Sequence, residues 1–185
     1  RDRNQTEFTR TTEDYLAIVA SEDKVARGRA AFAQRRALLG EIEARFGVPA
    51  QIVAAIWGVE SQYGTRRGNI PVISATSTLA YDGRRGAFFE SQLMAALRIL
   101  ERGDTTPARM TGSWAGAMGH TQFIPTTYQS FAVDFQGDGK RDIWSEDPTD
   151  GLASAAAYLA KSGWRRGRKW GLEVVVSQGF NPALA

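Results

Sequence analysis

The sequence predicts a mainly α-helical fold of the α+β class, arranged as one domain over residues 1–185. Apolar residues recur at helical spacing along most of the chain, and glycine and proline residues separate the helical segments. Residues 173–176 are the one β-prone run, so we expect the β content to be limited to a small β hairpin. A chain of 185 residues is long enough to bury a sizeable core.

The first half of the chain is predicted to contain two long helices in succession. Apolar residues repeat at every seventh position from Val25 to Phe46, which predicts one amphipathic helix over residues 22–46. Gly47 would cap that helix, and Pro49 would begin the next one. The two helices would therefore form an αα-hairpin.

The later helices are predicted from similar signals. Apolar spacing that ends at Gly103 predicts one helix, Pro125 begins another, and Asp147 followed by Pro148 marks a third N-terminus. Residues 65–87 are predicted to be rich in loops. The predicted helices, with their caps, cover residues 13–20, 22–46, 49–64, 88–101, 125–135 and 147–163.

A single carboxylate, Glu60, ends the apolar second helix of the hairpin. Glu60 is the only acidic residue between Glu43 and Asp82, and it shares a helix face with Ile56. Gly64 follows where a left-handed residue would end the helix. The helix C-terminus and the apolar neighbours both disfavour the anion, which predicts a raised pKa for this carboxyl. A carboxyl that stays protonated can donate a proton, as cleavage of a glycosidic bond requires. A glutamate that simply reaches solvent is the other interpretation.

Residues 112–123 contain three glycines and have no regular apolar period. Such a segment is expected to bring its backbone close to another element or to a ligand. His120, the single histidine, lies in this segment and is expected to line a cleft or to pack beside one. One histidine excludes a zinc site built from several histidines.

Residues 134–145 resemble an EF-hand calcium loop, with oxygen ligands that alternate around a glycine at the sixth position. The loop departs from that pattern at its third position, a glutamine, and at its twelfth, a serine in place of the usual glutamate. A turn that binds no cation is the alternative. The predicted ligands are the side chains of Asp134, Gln136 and Asp138, the carbonyl of Lys140, and the carboxylate of Asp150 from the next helix.

The composition excludes several classes of protein. The absence of cysteine excludes disulfides and thiolate metal sites. The net charge of +3 is too small to predict nucleic-acid binding, although it suits an anionic polymer or an envelope surface. No apolar run approaches the length of a transmembrane helix, and the first residues do not have the pattern of a signal peptide.

Five stretches of the chain, in this order, carry a family resemblance. They are GVPAQIVAAIWGVESQYG at 47–64, TLAYDGRR at 78–85, GSWAGAMG at 112–119, QFIP at 122–125, and DFQGDGKRDIW at 134–144, which leads into ASAAAY at 153–158. Together they resemble the catalytic core of the membrane-bound lytic transglycosylase B family of bacterial peptidoglycan-cleaving enzymes. The resemblance implies a lysozyme-like helical domain with an EF-hand-like loop beside its cleft.

The resemblance also implies roles for individual residues. Glu60 matches the single catalytic acid/base of the family. Ser113 and Gln122 match polar residues beside it that hold the substrate's N-acetyl sugar, and Tyr158 matches an aromatic residue of the cleft. Met118 is also assigned to substrate binding. Tyr15 is placed in the cleft by its spacing alone.

The implied reaction cuts the β-1,4 bond between N-acetylmuramic acid and N-acetylglucosamine and yields a 1,6-anhydromuramoyl product. The chemistry requires no cofactor, and calcium would have a structural role. We expect a monomer that acts on peptidoglycan strands and not on nucleic acid. Its place would be the periplasm or the outer membrane of a Gram-negative cell, reached through a removed N-terminal segment.

Three alternatives stay open at this point. The chain could be a hydrolytic muramidase with Asp82 or Glu90 as the second carboxylate, a non-catalytic module that binds glycan or calcium, or a basic nucleic-acid binder. The family's core also continues past the position of residue 185. We therefore expect the chain to be either a fragment or a domain with an incomplete cleft.

Overall fold

The computed structural model describes residues 11–169, 171–176 and 178–181, and the mainly helical fold predicted from the sequence is confirmed in them. Most of these residues lie in helices, which are joined by turns and by two longer irregular segments, residues 113–124 and residues 132–148. In chain order the elements are α1 (Thr12–Val19), α2 (Glu22–Gln34), α3 (Arg36–Phe46), α4 (Ala50–Ser61), β1 (Ile70–Pro71), α5 (Val72–Asp82), α6 (Gly86–Arg102), β2 (Thr111–Gly112), α7 (Pro125–Phe131) and α8 (Thr149–Lys161).

One hydrophobic core lies where α3, α4 and α8 meet. Leu39 of α3, Val53 and Trp57 of α4, and Leu152 and Ala156 of α8 are all buried in it. Burial of this much apolar surface is the main force that holds the three helices together. Because α4 is buried along the face that carries Val53 and Trp57, its last turn is fixed relative to α8.

A second core holds α5, α6 and α7 together. Val72 begins α5, Ala96 and Ile99 lie on α6, and Tyr128 lies on α7; all four are buried with Trp144 of the loop before α8. The hydroxyl of Tyr128 donates a hydrogen bond of 2.6 Å to the carbonyl of Arg141. This bond satisfies the one polar group of a fully buried ring, and it also anchors the irregular segment before α8.

The two strands form a small antiparallel sheet, with Ile70 opposite Gly112. Glycine is required here because the backbones nearly touch. A Cβ on Gly68 would lie 2.2 Å from the carbonyl carbon of Gly112, and a Cβ on Gly112 would lie 2.1 Å from the carbonyl oxygen of Ala117. The close backbone approach predicted for residues 112–123 is therefore confirmed.

The prediction of one helix over residues 22–46 was wrong, because the chain breaks at Arg35 into α2 and α3. Arg35 has φ −109° and ψ 21°, outside the helical range, although its amide still donates to the carbonyl of Ala31 at 3.1 Å. Helix α2 packs on α4, whereas α3 packs on both α4 and α8. The seventh-position repeat fixes which face is apolar, but it does not require that both halves follow one axis.

The prediction of a loop over residues 65–87 was also wrong in part, because α5 occupies much of that range. Serine, threonine and β-branched residues give α5 a weak intrinsic preference for the helix. The hydroxyls of Thr76 and Thr78 bond within the helix, to the carbonyls of Val72 at 2.8 Å and Ser74 at 2.7 Å. Packing against α6 supplies the stability that the local sequence lacks.

The small sheet does not lie where the sequence predicted it. Residues 173–176 form no strand, and the side chain of Val175 is fully exposed. A β-prone run needs a partner strand, and none pairs with it in the described part of the chain. Helix α7 also ends at Phe131, before the predicted position 135.

No helix among the described residues is long and apolar enough to cross a membrane.

Candidate active site

A cleft of about 310 Å³ opens between the last turn of α4, the segment that leads into α7, and one face of α8. Its walls are mainly apolar, with a few neutral polar groups and one carboxyl group. The lining residues are Ile56, Glu60, Thr121, Gln122, Phe123, Ile124, Thr127, Ala155, Tyr158 and Leu159.

Glu60 is the single acidic residue among the residues that line this cleft. It lies in the last turn of α4, with one side open to solvent and the other against the cleft walls. Loss of solvation raises the pKa of this carboxyl, in the direction that the sequence predicts. A carboxyl with a raised pKa in an open cleft can exchange a proton with a bound molecule.

The end of α4 differs from the prediction. The left-handed cap is Gln62 with φ 49°, and Tyr63 also has a positive φ of 58°. Gly64 is left-handed as well, with φ 84°, and its amide donates to Ser61 Oγ at 3.0 Å. Three successive left-handed residues therefore end α4 two residues after Glu60.

Gln122 reaches the cleft from a strained backbone position, with φ 53°. Its side-chain amide donates hydrogen bonds to the carbonyl oxygens of Gly119 at 2.9 Å and Arg67 at 3.1 Å. Both N–H donors are used by the protein itself. The group that Gln122 offers to a ligand is therefore its side-chain carbonyl oxygen, a hydrogen-bond acceptor.

Tyr158 of α8 stands in the wall of the cleft with 39% of its surface exposed. Its ring meets Phe131 edge-on at a centroid distance of 4.9 Å, and Phe123 at 6.1 Å. Edge-to-face packing of this kind fixes the ring plane. Tyr158 is thus a rigid surface against which a flat or ring-shaped ligand could pack.

Three other predicted site residues do not line the cleft. Met118 is fully buried in the second core, so its side chain does not reach the cleft surface, and its assignment to substrate binding stays a prediction. Its backbone pairs with Phe123 through bonds of 2.8 and 2.9 Å, which positions the cleft loop instead. The hydroxyl of Ser113 accepts bonds from the amides of Ala115 and Ala117, and Tyr15 lies exposed on α1.

Two cleft residues have no signal in the sequence. Thr121 and Thr127 line the cleft only because of the tertiary structure. In the sequence they are neutral residues before and within a short helix, with no feature that distinguishes them from other threonines. Asp82 and Glu90, considered above as second carboxylates, are exposed at the end of α5 and on α6 and do not line the cleft.

His120 lies beside the cleft and is buried, with 2% exposure. Of the two positions predicted for His120, lining a cleft or packing beside one, the structure shows the second. Burial lowers the pKa of its imidazole.

The loop that resembles an EF-hand is organised around Asp134. The two carboxylate oxygens of Asp134 accept hydrogen bonds from the amides of Gly137, Asp138 and Gly139, at 2.6, 3.2 and 2.8 Å. Gly139 has φ 87° at the sixth position, where the turn requires glycine. Asp138 in turn accepts a bond of 2.9 Å from the amide of Lys140.

Asp150 closes this loop from the start of α8. Its buried carboxylate accepts bonds from the amide of Phe135 at 2.8 Å, of Gln136 at 3.3 Å and of Asp142 at 2.9 Å. Burial raises the pKa of Asp150, and the amide bonds oppose that shift. The carboxylate therefore joins the two ends of the loop.

The donor set of this loop consists of oxygens alone, which suits a hard cation such as Ca²⁺. Among the described residues, no group of three or more acidic, histidine or cysteine side chains converges to form a ready-made metal cage. A carboxylate has about four lone-pair sites, so amide bonds to Asp134 and Asp150 leave capacity for a cation. The oxygen donors of this loop are therefore chemically suited to bind Ca²⁺.

Comparison with known proteins gives consistent matches. The whole chain, residues 1–185, matches the transglycosylase SLT domain. The protein named membrane-bound lytic murein transglycosylase B of Escherichia coli strain K12 is 34% identical over 171 residues, which cover 92% of this chain and 46% of that protein.

Solved structures agree. SltB3 from Pseudomonas aeruginosa, in complex with NAG-NAM-pentapeptide, is 53% identical with a TM-score of 0.88, and the match covers 95% of this chain and 47% of that one. The same protein has been solved in complex with NAG-anhNAM-pentapeptide. The lytic transglycosylase Slt35 of Escherichia coli, in complex with calcium, is 35% identical with a TM-score of 0.75, over 80% of this chain and 47% of that one. The chain therefore spans about half the length of these relatives.

Proposed function

The chain belongs to the transglycosylase SLT domain family, and on that premise we propose that it is a lytic transglycosylase of peptidoglycan. The bond cut is the β-1,4 bond between N-acetylmuramic acid and N-acetylglucosamine, and the product ends in a 1,6-anhydromuramoyl residue. The observation that carries the proposal is a single carboxyl with a raised pKa, Glu60, in a cleft that is otherwise apolar or neutral.

Glu60 acts first as the acid. Its proton passes to the glycosidic oxygen as the bond from that oxygen to the muramyl anomeric carbon breaks. The N-acetyl oxygen of the same sugar relieves the positive charge that develops on this carbon. A raised pKa supports this step, because the carboxyl must hold its proton until the substrate is bound.

Glu60 acts next as the base. The carboxylate removes the proton of the sugar's own C6 hydroxyl, and the C6 oxygen forms a bond to the anomeric carbon. This closes the 1,6-anhydro ring and returns Glu60 to its protonated form. No water is consumed, so one carboxyl group is enough.

Gln122 and Tyr158 are proposed to hold the muramyl sugar. The carbonyl oxygen of the Gln122 side chain would accept a hydrogen bond from the N-acetyl N–H, since its own N–H donors are already used. The exposed face of Tyr158 would pack against a sugar ring, as aromatic rings commonly do with apolar ring faces. Ser113 and Tyr15, assigned to substrate binding by the resemblance, do not line this cleft, so the sugar contacts proposed here are limited to Gln122 and Tyr158.

A hydrolytic muramidase is the rival reaction. A retaining hydrolase needs a second carboxylate about 5–5.5 Å from the first, and an inverting one needs it about 6.5–9.5 Å away. Asp82 and Glu90 lie outside the cleft, and Glu60 is the single acid among the residues that line it. This favours the single-carboxyl reaction.

The experiment is digestion of purified peptidoglycan, with mass spectrometry of the released fragments. Anhydromuramoyl ends are expected from the native chain, and ends that are heavier by one water would show hydrolysis instead. Retention of glycan without any release would support the non-catalytic binding module. A Glu60→Gln variant, treated in parallel, shows whether any release depends on this carboxyl.

We also propose that the loop over residues 134–145 holds a structural calcium ion. Asp134, Gln136, Asp138, the carbonyl of Lys140 and Asp150 would supply the oxygens. Slt35 was solved in complex with calcium, which supports this choice of ion. Bound calcium would neutralise the carboxylates and order the loop, and it has no step in the glycan chemistry.

The expected setting is the bacterial cell envelope. We propose that the protein acts as a monomer on peptidoglycan strands in the periplasm or at the outer membrane. The named E. coli relative is membrane-bound, and that association is proposed here only for a chain with a further N-terminal segment.

A further inference from the structure

His120 joins three parts of the molecule that meet beside the cleft. Its ring nitrogen Nδ1 lies 3.1 Å from the indole nitrogen of Trp57, and Nε2 lies 2.9 Å from the carbonyl oxygen of Ser145. Its backbone carbonyl accepts a bond of 2.6 Å from the hydroxyl of Ser61. The rings of Trp57 and His120 also pack edge-on, with centroids 5.9 Å apart.

The partners determine where the imidazole holds its proton. An indole N–H can only donate, so Nδ1 of His120 must accept. The one proton of the neutral ring is therefore on Nε2, where it is donated to the carbonyl of Ser145. Arg67 Nη1, 3.2 Å from the same nitrogen, is a donor itself and bonds instead to the carbonyls of Ser145 and Trp144.

These bonds bear directly on the cleft. Trp57 and Ser61 lie on either side of Glu60 in α4, and Thr121 and Gln122, which line the cleft, follow His120 in the chain. The two bonds between α4 and His120 therefore set the separation between the carboxyl of Glu60 and the loop that carries Gln122.

Helix α8 is placed by the same contact. A Cβ on Gly151 would lie 3.1 Å from the Cβ of His120, so the glycine allows α8 to approach. The hydroxyl of Thr121 donates to the carbonyl of Gly151 at 3.2 Å. The helix that carries Tyr158 is thereby packed against His120 as well.

We propose that His120 is a positioning residue for the reaction of Glu60. It does not touch the substrate; it accepts a hydrogen bond from Trp57 with one ring nitrogen and donates one to Ser145 with the other. Both walls of the cleft are thereby held at a fixed spacing. This proposal rests on the proposed function of Glu60.

Two substitutions of His120 test the roles of its two ring nitrogens one at a time. His120→Asn keeps an acceptor near the position of Nδ1 and loses the donor to Ser145. His120→Gln can place an N–H near the position of Nε2 and leaves the indole of Trp57 without its partner. Trp57→Phe removes the same bond from the other side and keeps an aromatic ring in the core.

The expected loss is in kcat rather than in KM. A displacement of reacting groups by about 1 Å can cost about 10²-fold in rate. We expect His120→Gln and Trp57→Phe to lower kcat by about 10-fold to 10²-fold on peptidoglycan, with KM changed far less. His120→Asn should recover a larger share of kcat than His120→Gln.

The hydrogen bond from Trp57 to His120 can also be followed by NMR, in an experiment that does not depend on enzymatic activity. The indole ¹H–¹⁵N resonance of Trp57, identified by its loss in Trp57→Phe, should move in His120→Gln and stay close to its native position in His120→Asn. Tyr128→Phe is the matched control. It removes another buried hydrogen bond, the one to Arg141, and should lower the melting temperature without lowering kcat.

The proposal is overturned if folded His120→Gln keeps native kcat, or if the Asn and Gln variants lose kcat equally. It is also overturned if the Trp57 resonance is the same in both. If neither His120 variant folds, Trp57→Phe decides by the same kcat and KM criteria. A native chain that releases no anhydromuramoyl product, or whose turnover survives Glu60→Gln, refutes the proposed function instead, and the resonance then still tests the bond.

Discussion

The ring of Tyr158 stands edge-on to the ring of Phe123, with 6.1 Å between the centroids. This contact joins α8 to the loop that carries Gln122, so two segments that are distant in sequence form one wall of the cleft. Glu60 enters the same cleft from α4. The proposed acid and the proposed sugar contacts thus come from three separate elements whose spacing is fixed by buried side chains.

The first prediction concerns turnover. Replacing Glu60 by glutamine removes the proton that the reaction requires and keeps nearly the same size and shape. We expect Glu60→Gln to lower the release of fragments from peptidoglycan by at least about 10²-fold to 10⁴-fold. Glu90→Gln, which changes an exposed carboxyl outside the cleft, is the control and should keep native turnover. Near-native activity in Glu60→Gln would exclude this residue as the acid.

The second prediction concerns stability and pH. The pKa of Glu60 is raised above its ordinary value of 4.5, so the folded state binds this proton more tightly than the unfolded state does. Native stability is therefore lost as pH rises from below 4.5 through the raised pKa. Glu60→Gln cannot ionise and avoids that loss.

We expect the melting temperature of Glu60→Gln to exceed that of the native chain at neutral pH, and the difference to shrink below pH 4.5. The difference should be small, because Glu60 is partly exposed and solvent screens its charge. A difference that grows as the pH is lowered would contradict the raised pKa.

The sequence predicted the elements whose signal is local. Glu60 could be found because an isolated carboxylate follows an apolar helix, and most helices could be placed because their apolar residues are regularly spaced. Helix α5 could not, since its serine, threonine and β-branched residues favour a helix only when α6 packs on them. Thr121 and Thr127 could not either, because neutral residues become cleft residues only through tertiary packing.

The third prediction concerns sugar binding by Tyr158. Its ring is held by Phe131 and Phe123, so truncation removes a rigid surface from the cleft wall. We expect Tyr158→Ala to weaken glycan binding by about 10-fold, in line with about 0.5–1.5 kcal/mol for an aromatic contact beyond its area. Tyr158→Phe keeps the ring and should bind within about threefold of the native chain if packing is the main contribution. The measurement is titration of a soluble muropeptide into each variant in a Glu60→Gln background. Equal losses in the two variants would assign the effect to the hydroxyl.

The fourth prediction concerns calcium. An ion bound only by the folded state stabilises it, by about 2.7 kcal/mol at a concentration of 100 times Kd. We expect calcium to raise the melting temperature of the native chain. It should have no such effect on Asp138→Ala, because that variant lacks one of the proposed calcium ligands. Asp138 lies in the exposed middle of the loop, so its replacement removes little packing from the fold.

Asp150→Asn provides a contrast. Its carboxylate accepts three amide bonds, so this variant should lose stability even without calcium, by about 1–3 kcal/mol. A native melting curve that millimolar calcium leaves unchanged would mean that the loop is only a turn.

The last prediction concerns Gly64, which follows the end of α4 that carries the proposed acid Glu60. Gly64 has φ 84°, and a Cβ there would lie 2.7 Å from the ring of His120. Gly163, after α8, has φ 96°, and a Cβ there would meet no atom within 4 Å. Substitution at Gly163 therefore measures the cost of the backbone conformation alone. Gly163→Ala should cost about 1–2 kcal/mol, the usual price of a left-handed residue. Gly64→Ala should cost about 1–3 kcal/mol more, because the ring of His120 must move within a packed interior.

The two glycine variants should also differ in their turnover of peptidoglycan. Movement of His120 would disturb the bond to Trp57 at 3.1 Å and the spacing between Glu60 and Gln122. At equal folded concentration we therefore expect Gly64→Ala to turn over peptidoglycan more slowly than Gly163→Ala, which should match the native chain. Urea unfolding gives the two stabilities, and fragment release gives the two rates. Equal losses of stability, with equal rates, would show that the ring of His120 has room to move without consequence for the cleft.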